Sequence, residues 1–334
     1  MRTRVQRAGR SARVHLNPEV TRTVRARVAL ESAVFSHGLP ADAARGLAAK
    51  LDRAVRSRGA TPVLVAVKRG RIEAGIGLDD IEFLLDPKAV KIAERDLAVA
   101  VAEGRSGGTT VAATLAVASR AGISVMATGG IGGVHLDAPD DVSADLYALS
   151  RYPIVVVCAG AKIICDPRRT VEALETLGVA VVGYQTDTFP AFIARSSGIP
   201  VPHRAEDAAQ IAAIVRARTE LGMSTALLVV QPAPADVALD PQAADAAVAY
   251  ALERARAARV AGPALTPFLL STIADITGGR SLIANLRLLE ANASLAADIA
   301  VALAAHRRRS PAAKSRPDLI ARRERRSAKG SGRP

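Results

Sequence analysis

The chain has no tryptophan, 3% aromatic residues and two cysteines in 334 positions. So few aromatic rings leave little surface on which single-stranded nucleic acid could stack. Cys158 and Cys165 cannot build a disulfide framework, and both stand in apolar sequence. They read as packed thiols in a reducing cytosol, so a cytoplasmic location is expected. No apolar run of about 18 residues is free of charge, which argues against a transmembrane helix. The arginine-rich start, MRTRVQRAGRSARVHL, lacks the apolar stretch of a secretory signal. The histidines, His15, His37, His135, His203 and His306, show neither H-x-x-x-H nor H-E-x-x-H spacing, so no zinc site is expected. There is no G-x-S-x-G elbow, no phosphate-binding P-loop and no G-x-G-x-x-G, which disfavours serine hydrolases, nucleoside triphosphates and dinucleotides.

What the chain has in excess is positive charge, +13 in all. Its location decides its meaning. Residues 1–30 carry a net +7 and residues 306–334 a net +9, so the body between them is −3. Basic tails of this kind are rich in Pro, Ser and Gly and read as disordered. They could hold nucleic acid non-specifically, but the body offers no matching surface. The expected organisation is a basic tail over 1–15, a single α/β domain over 16–305, and a second basic tail over 306–334.

Within the body, short apolar runs alternate with amphipathic stretches. Strands are expected at Pro62–Val67, Arg71–Ile76, Ile123–Ala127, Ile154–Cys158, Val179–Gly183 and Ala226–Val230. Helices are expected at Ala41–Ser57, Thr109–Arg120, Arg168–Leu177, Ala205–Leu221, Pro241–Ala258, Pro267–Thr277 and Leu282–Ala305. Arg69-Gly70 between the first two strands suggests a hairpin. Strands otherwise separated by helices argue for a layered α/β fold whose central sheet is largely parallel.

Glycine gathers in two places that could carry chemistry. GRSGGTTVAATLAVA (104–118) leads into a helix whose free amides could hold a phosphate. VMATGGIGGVH (125–135) follows a short apolar strand, where α/β folds bind ligands. The same glycines would also serve simple tight turns. VVVCAGAKIICD (155–166) sets one ammonium, Lys162, at the end of a buried-looking strand. A lysine there finds a partner, reaches solvent, or gives up its proton and becomes a nucleophile. Glu31 lies in apolar sequence, where desolvation would suit it to acid work, although a solvated helix face would also accommodate it. Asp140, Asp141 and Asp145 cluster around Ser143 as either a helix cap or a site for a hard divalent cation.

Several segments taken together resemble one family. They are VALES with SHGLP (28–40), GGTTVAATL (107–115), ATGGIGGVH (127–135), VSADL (142–146), VVCAGAK (156–162), LETLGVAVVGYQTDTFPAF (174–192), TPFLL (266–270) and SLIAN (281–285). The likeness, over roughly residues 15–303, is to the pseudouridine-5′-phosphate glycosidases, or indigoidine synthase A family. It implies a three-layer α/β/α fold with a largely parallel, mixed central sheet. It further implies reversible cleavage of pseudouridine 5′-phosphate to uracil and ribose 5-phosphate, dependence on Mn²⁺, and a homotrimer. By the same resemblance Lys162 is the nucleophile that forms a Schiff base, Glu31 the proton donor and Asp141 the metal ligand. Substrate contacts fall on Lys91, Thr110, Val111, His135, Ser143, Ala144, Asp145 and Asn285.

Bottom-up, these residue types suit the reaction. Uracil leaving through carbon is a poor leaving group, so paired carboxylates alone are not enough. Ring opening under acid catalysis and an imine to lysine supply an electron sink. The apolar setting of Lys162 is expected to keep its amine uncharged. The chain departs from the family pattern at Leu136, at Ile163-Ile164, in Gln231-Pro232-Ala233-Pro234-Ala235 and at Ala291-Asn292. Those departures bear on the base pocket. They keep open the same chemistry on a related C-nucleotide, or a role in pigment biosynthesis. An inactive scaffold that binds nucleic acid through its tails is a further reading.

Overall fold

A computed structural model of the chain describes residues 14–22, 26–77, 79–260 and 265–309. The disorder expected of the basic tails falls mainly on 1–13 and 310–334, outside the described residues. Leading to the core, β1 (His15–Leu16) and β2 (Arg27–Leu30) precede the long β3 (Thr61–Lys68) and β4 (Arg71–Ile76). Then come β5 (Val90–Ile92), β6 (Gly107–Thr109), β7 (Val125–Ala127) and β8 (Val155–Cys158). The last are β9 (Ala180–Tyr184), β10 (Arg204–Ala205) and β11 (Leu227–Val230). All belong to one sheet in the order β1-β4-β3-β2-β7-β8-β11-β9-β10, with β6 pairing to β3 and β5 to β6. Pairings are parallel except β3 with β4 and β3 with β6.

The six expected strands are all present, with no end shifted by more than two residues. The Arg69-Gly70 turn is the expected hairpin. Both residues take positive φ, 50° and 72°, the mirror-image geometry that matches strand twist. The Arg69 amide is held by Ser106 Oγ at 2.8 Å. Five strands were not expected: β1 and β10, of two residues each, and β2, β5 and β6, of three or four. Segments that short carry too few positions for alternation to be seen, and Gly107-Gly108 has no strand propensity. Gly107 and Gly108 nonetheless pair in β6, and position 107 requires glycine there, since a Cβ would meet the Val90 carbonyl oxygen at 1.9 Å.

β3, β8 and β11 are buried on both faces, as their unbroken apolar runs require. Helix Arg280–Arg309 packs on β2, β7 and β8 from one side, beside helices Ala41–Arg56 and Ala208–Glu220. Helix Val111–Arg120 packs on β2, β3 and β4 together with helix Ala144–Arg151. This is the three-layer α/β/α arrangement with a largely parallel sheet. Among the described residues one helix, Arg280–Ala305, is long and apolar enough to cross a membrane by length and composition. More than half of it, 56%, is buried inside the fold, so here it is a core helix. It continues to Arg309, past the expected body boundary at 305.

Candidate active site

Parallel strands carry their C-terminal ends to one edge of the sheet, and the segments that follow β2, β7 and β8 meet there. Glu31 follows β2 directly. Its neighbour Ser32 locks this end in place: Oγ donates to the Val65 carbonyl at 2.5 Å and accepts from the Thr109 amide at 2.9 Å. After β7 comes Thr128 and the glycine loop; after β8 comes Ala159-Gly160-Ala161-Lys162. The two loops are zipped by backbone bonds, Ile131 N to Gly160 O at 3.0 Å and Lys162 N to Ile131 O at 2.8 Å. Gly160 has φ +86°, and a Cβ there would stand 2.2 Å from the Pro190 carbonyl. Gly132 is similarly obligatory, since a Cβ would lie 2.2 Å from Ser143 Oγ.

A small cavity of about 70 Å³ is lined by Glu31, Lys91, Lys162 and Asn285 together with His37, Gly129 and Gly130. It adjoins a wider cleft of about 780 Å³ that shares His37, Ile163, Phe192, Pro267 and Asn285. Four of the residues singled out in the sequence thus converge. Burial pushes the Glu31 carboxyl above the usual carboxylate range, against the pull of Lys162 and a hydrogen bond from Thr128 Oγ1. Glu31 is therefore suited to hold a proton near neutrality.

Lys162 departs from expectation. Burial lowers its pKa, but the carboxylates of Glu31 and Asp145 raise it more, and the net direction is upward. The apolar setting does not keep this amine neutral; the field of Glu31 and Asp145 favours its charged form. Lys91, on β5, moves the other way: partial burial and repulsion by Lys162 lower its pKa.

The remaining predicted residues lie around this cavity without lining it. Thr110 caps helix Val111–Arg120, and Val111 is that helix's first residue. Ser143 caps helix Ala144–Arg151, accepting from the Asp145 amide at 3.2 Å, with Ala144 as the first residue inside. Asp145 is buried; its Oδ1 accepts from Ala112 N at 2.9 Å and its Oδ2 from Gly132 N at 2.8 Å. One amide of the helix end offered by sequence as a phosphate cradle is thus already satisfied by a protein carboxylate.

His135 and Asp141 form a separate corner, with His135 Nδ1 3.0 Å from Asp141 Oδ2. Among the described residues no three His, Cys, Asp or Glu side chains converge as a metal cage. The Asp141 side chain is 63% exposed, and its Oδ1 has no partner among the described residues. Such a donor set fits a hard cation that keeps most of its water, not one enclosed by protein.

Of two further contributors, Thr128 is not among the expected site residues and Asn292 enters the sequence only in a departure from the family pattern. Thr128 Oγ1 donates to Glu31 Oε1, and Asn292 Nδ2 donates to the Thr128 carbonyl at 2.9 Å. Thr128 stands inside the quoted glycine motif and Asn292 inside the last helix, so only tertiary contact gives them a role.

A mixed α/β sheet with a buried lysine and carboxyl at its strand ends defines the class, and comparison with known proteins places the chain within it. A family model described as indigoidine synthase A like protein matches residues 19–302, and the chain belongs to that family. Among curated relatives it is 50% identical to the pseudouridine-5′-phosphate glycosidase of Gemmatimonas aurantiaca, over 86% of this chain and 97% of that one. It is 49% identical to the protein of the same name from Methylobacterium nodulans, over 86% of each. Among solved structures, an indigoidine synthase A-like protein from Thermotoga maritima aligns with a TM-score of 0.80 and 36% identity, covering 87% of this chain and 96% of that one. The prealnumycin C-glycosynthase AlnA, in complex with ribulose 5-phosphate, aligns with a TM-score of 0.80 and 34% identity, covering 89% and 98%.

Proposed function

We propose that this chain cleaves the C-glycosidic bond of pseudouridine 5′-phosphate reversibly, giving uracil and ribose 5-phosphate through a Schiff base on Lys162. The observation that carries this reading is the pair of buried groups, Glu31 and Lys162, sharing one small cavity. The names of the relatives supply the substrate, and the pentulose phosphate bound to AlnA supports a sugar phosphate as ligand class.

Glu31, held protonated by burial, gives its proton to the ribose ring oxygen as the ring opens. Lys162 bonds C1′. The bond from C1′ to uracil C5 then breaks, C5 takes up a proton, and the lysine nitrogen forms the imine to C1′. Water hydrolyses the imine, releasing ribose 5-phosphate and the free amine. Lys162 must enter this sequence without its proton while Glu31 holds one. The neutral pair and the ion pair contain the same number of protons, so pH does not interconvert them. Below the raised Glu31 pKa the site carries one proton too many, and above the raised Lys162 pKa one too few. Activity is therefore bell-shaped, its acidic limb set by Glu31 above the usual carboxylate range and its alkaline limb by Lys162 above the usual lysine range.

Lys91 and the helix-start amides of Val111 and Ala144, beside Thr110 and Ser143, would meet the phosphate. Mn²⁺ would be held by Asp141, with His135 behind it, and when bound would neutralise negative charge near the phosphate. The assembly is expected to be a homotrimer, which sedimentation would test.

Purified protein incubated with pseudouridine 5′-phosphate and Mn²⁺ releases free uracil, and chelation suppresses that release. Borohydride with ribose 5-phosphate traps a secondary amine that peptide mapping locates on Lys162. An adduct on another lysine defeats the mechanism. Trapping on Lys162 without uracil release moves the reading to a different aglycone, as in the C-glycosynthase relative.

A further inference from the structure

The functional reading leaves one chemical need unmet. Expelling the ribose ring oxygen requires electrons from the base as well as a proton from Glu31. In a C-linked uracil those electrons come from N1, which keeps its hydrogen because the sugar is bonded to C5. In an N-linked nucleotide N1 is the glycosidic atom and has no hydrogen to lose. A group that takes the N1 proton would therefore drive ring opening and select the C-linked isomer in the same contact.

We infer that His37 is this base. The inference rests on the reading of the reaction given above. His37 ends the short helix Ala33–His37 and lines both the inner cavity, with Glu31 and Lys162, and the outer cleft, with Asn285. It thus stands where the base of a substrate whose sugar lies against Lys162 would extend. Its Nδ1 is 2.7 Å from Ser36 Oγ, and Ser36 Oγ is 3.4 Å from the Ala33 carbonyl. With the Ser36 hydroxyl donating to Ala33, its oxygen accepts from Nδ1–H, and Nε2 carries the lone pair. No group among the described residues hydrogen-bonds to Nε2.

The surroundings favour a neutral ring. Lys91 on β5 and Lys162 are the cations near His37 in the cavity, Glu31 the carboxyl within it, and Asp275 the acid across the cleft. Glu82, on the helix packed beside His37, is tied to Arg45 at 2.8 Å. Burial, and next to it Lys91, lower the imidazole pKa, so the ring is unprotonated at neutral pH and able to accept.

The step balances without a further reactant. Nε2 takes the N1 proton, and the N1 electrons form N1=C6. The C5=C6 pair moves to C5=C1′, and the C1′–O4′ bond breaks onto oxygen, which takes the proton of Glu31. When Lys162 adds to C1′, the C5=C6 bond is restored and N1 recovers its proton from His37.

The test compares His37→Ala and His37→Gln with the wild-type protein on pseudouridine 5′-phosphate and on its N1-methylated analogue, with ribose 5-phosphate trapping as the control. The expected result is a fall in uracil release of about 10²–10⁴-fold in both variants. Ribose 5-phosphate has no base, so borohydride trapping on Lys162 persists in both. Added imidazole restores part of the rate to His37→Ala, and the wild-type protein fails to cleave the N1-methylated substrate. Turnover near the wild-type rate in either variant, ordinary cleavage of the methylated substrate, or loss of trapping along with turnover overturns the assignment. Failure of the wild-type protein itself to release uracil or to trap ribose 5-phosphate removes the reading on which it rests, and the two failures are thereby told apart.

Discussion

Lys162 and Lys91 line the same cavity, and their basicities are displaced in opposite directions. Lys162 is the more deeply buried of the two, yet it is the one pushed up. Desolvation acts on both; the difference lies in their company. Glu31 and the amide-bound Asp145 act on both lysines; at Lys162 they outweigh desolvation, whereas at Lys91 desolvation and repulsion by Lys162 outweigh them. Burial sets the stakes for a lysine, and its charged neighbours set the outcome. On the proposed function the pair also divides the work, with one lysine for covalent chemistry and the other for the phosphate.

That division makes unequal predictions. Lys162→Ala has the largest effect, a loss of turnover of roughly 10⁴-fold or more together with loss of the borohydride adduct. Lys162→Arg does not restore activity, because guanidinium remains protonated. If Lys91 carried the adduct instead, the comparison would break. Glu31→Gln follows, with turnover down about 10²–10⁴-fold. Removing that carboxylate also removes a cause of the raised Lys162 pKa, and the variant needs only the free amine, so its remaining activity rises with pH through a Lys162 ionisation displaced below that of the wild-type protein, as a rate-against-pH series reads directly. Lys91→Ala raises KM for the phosphorylated substrate by about tenfold or more, since a charge-assisted contact is worth roughly 1.5–3 kcal/mol. Turnover at saturation changes far less. A KM for the unphosphorylated nucleoside that rose equally would contradict the phosphate role. The smallest effect belongs to deletion of residues 310–334. Their charge is separate from the slightly acidic body, so kcat and KM are expected to stay within error of the full chain, measured at physiological salt.

What sequence could convey follows the same lines. The runs that became β3, β8 and β11 were legible because residues buried on both sheet faces must be apolar without interruption. β2, which presents Glu31, was missed as an element because four residues show no period. Glu31 and Lys162 stood out as charges in apolar sequence. The protonation of Lys162 did not, because it depends on Asp145 and Glu31, which reach it from other elements. His37 was visible in SHGLP only as part of a motif, and its place between cavity and cleft is a property of the folded chain.

The contact from Asn292 to the Thr128 and Gly129 carbonyls bridges 164 and 163 positions of the chain. Its consequence is temporal. During synthesis the strands bearing Glu31 and Lys162 emerge long before the helix that bears Asn285 and Asn292. Until that helix docks, the carbonyls of Thr128 and Gly129 lack the Asn292 donor, and the cavity lacks its Asn285 and Leu289 wall. Contacts so distant in sequence come at the end of folding, after the intervening loop entropy has been lost. A nascent or C-terminally truncated chain thus holds Lys162 and Glu31 but no finished pocket around them. The chain becomes a catalyst only with the arrival of its last helix.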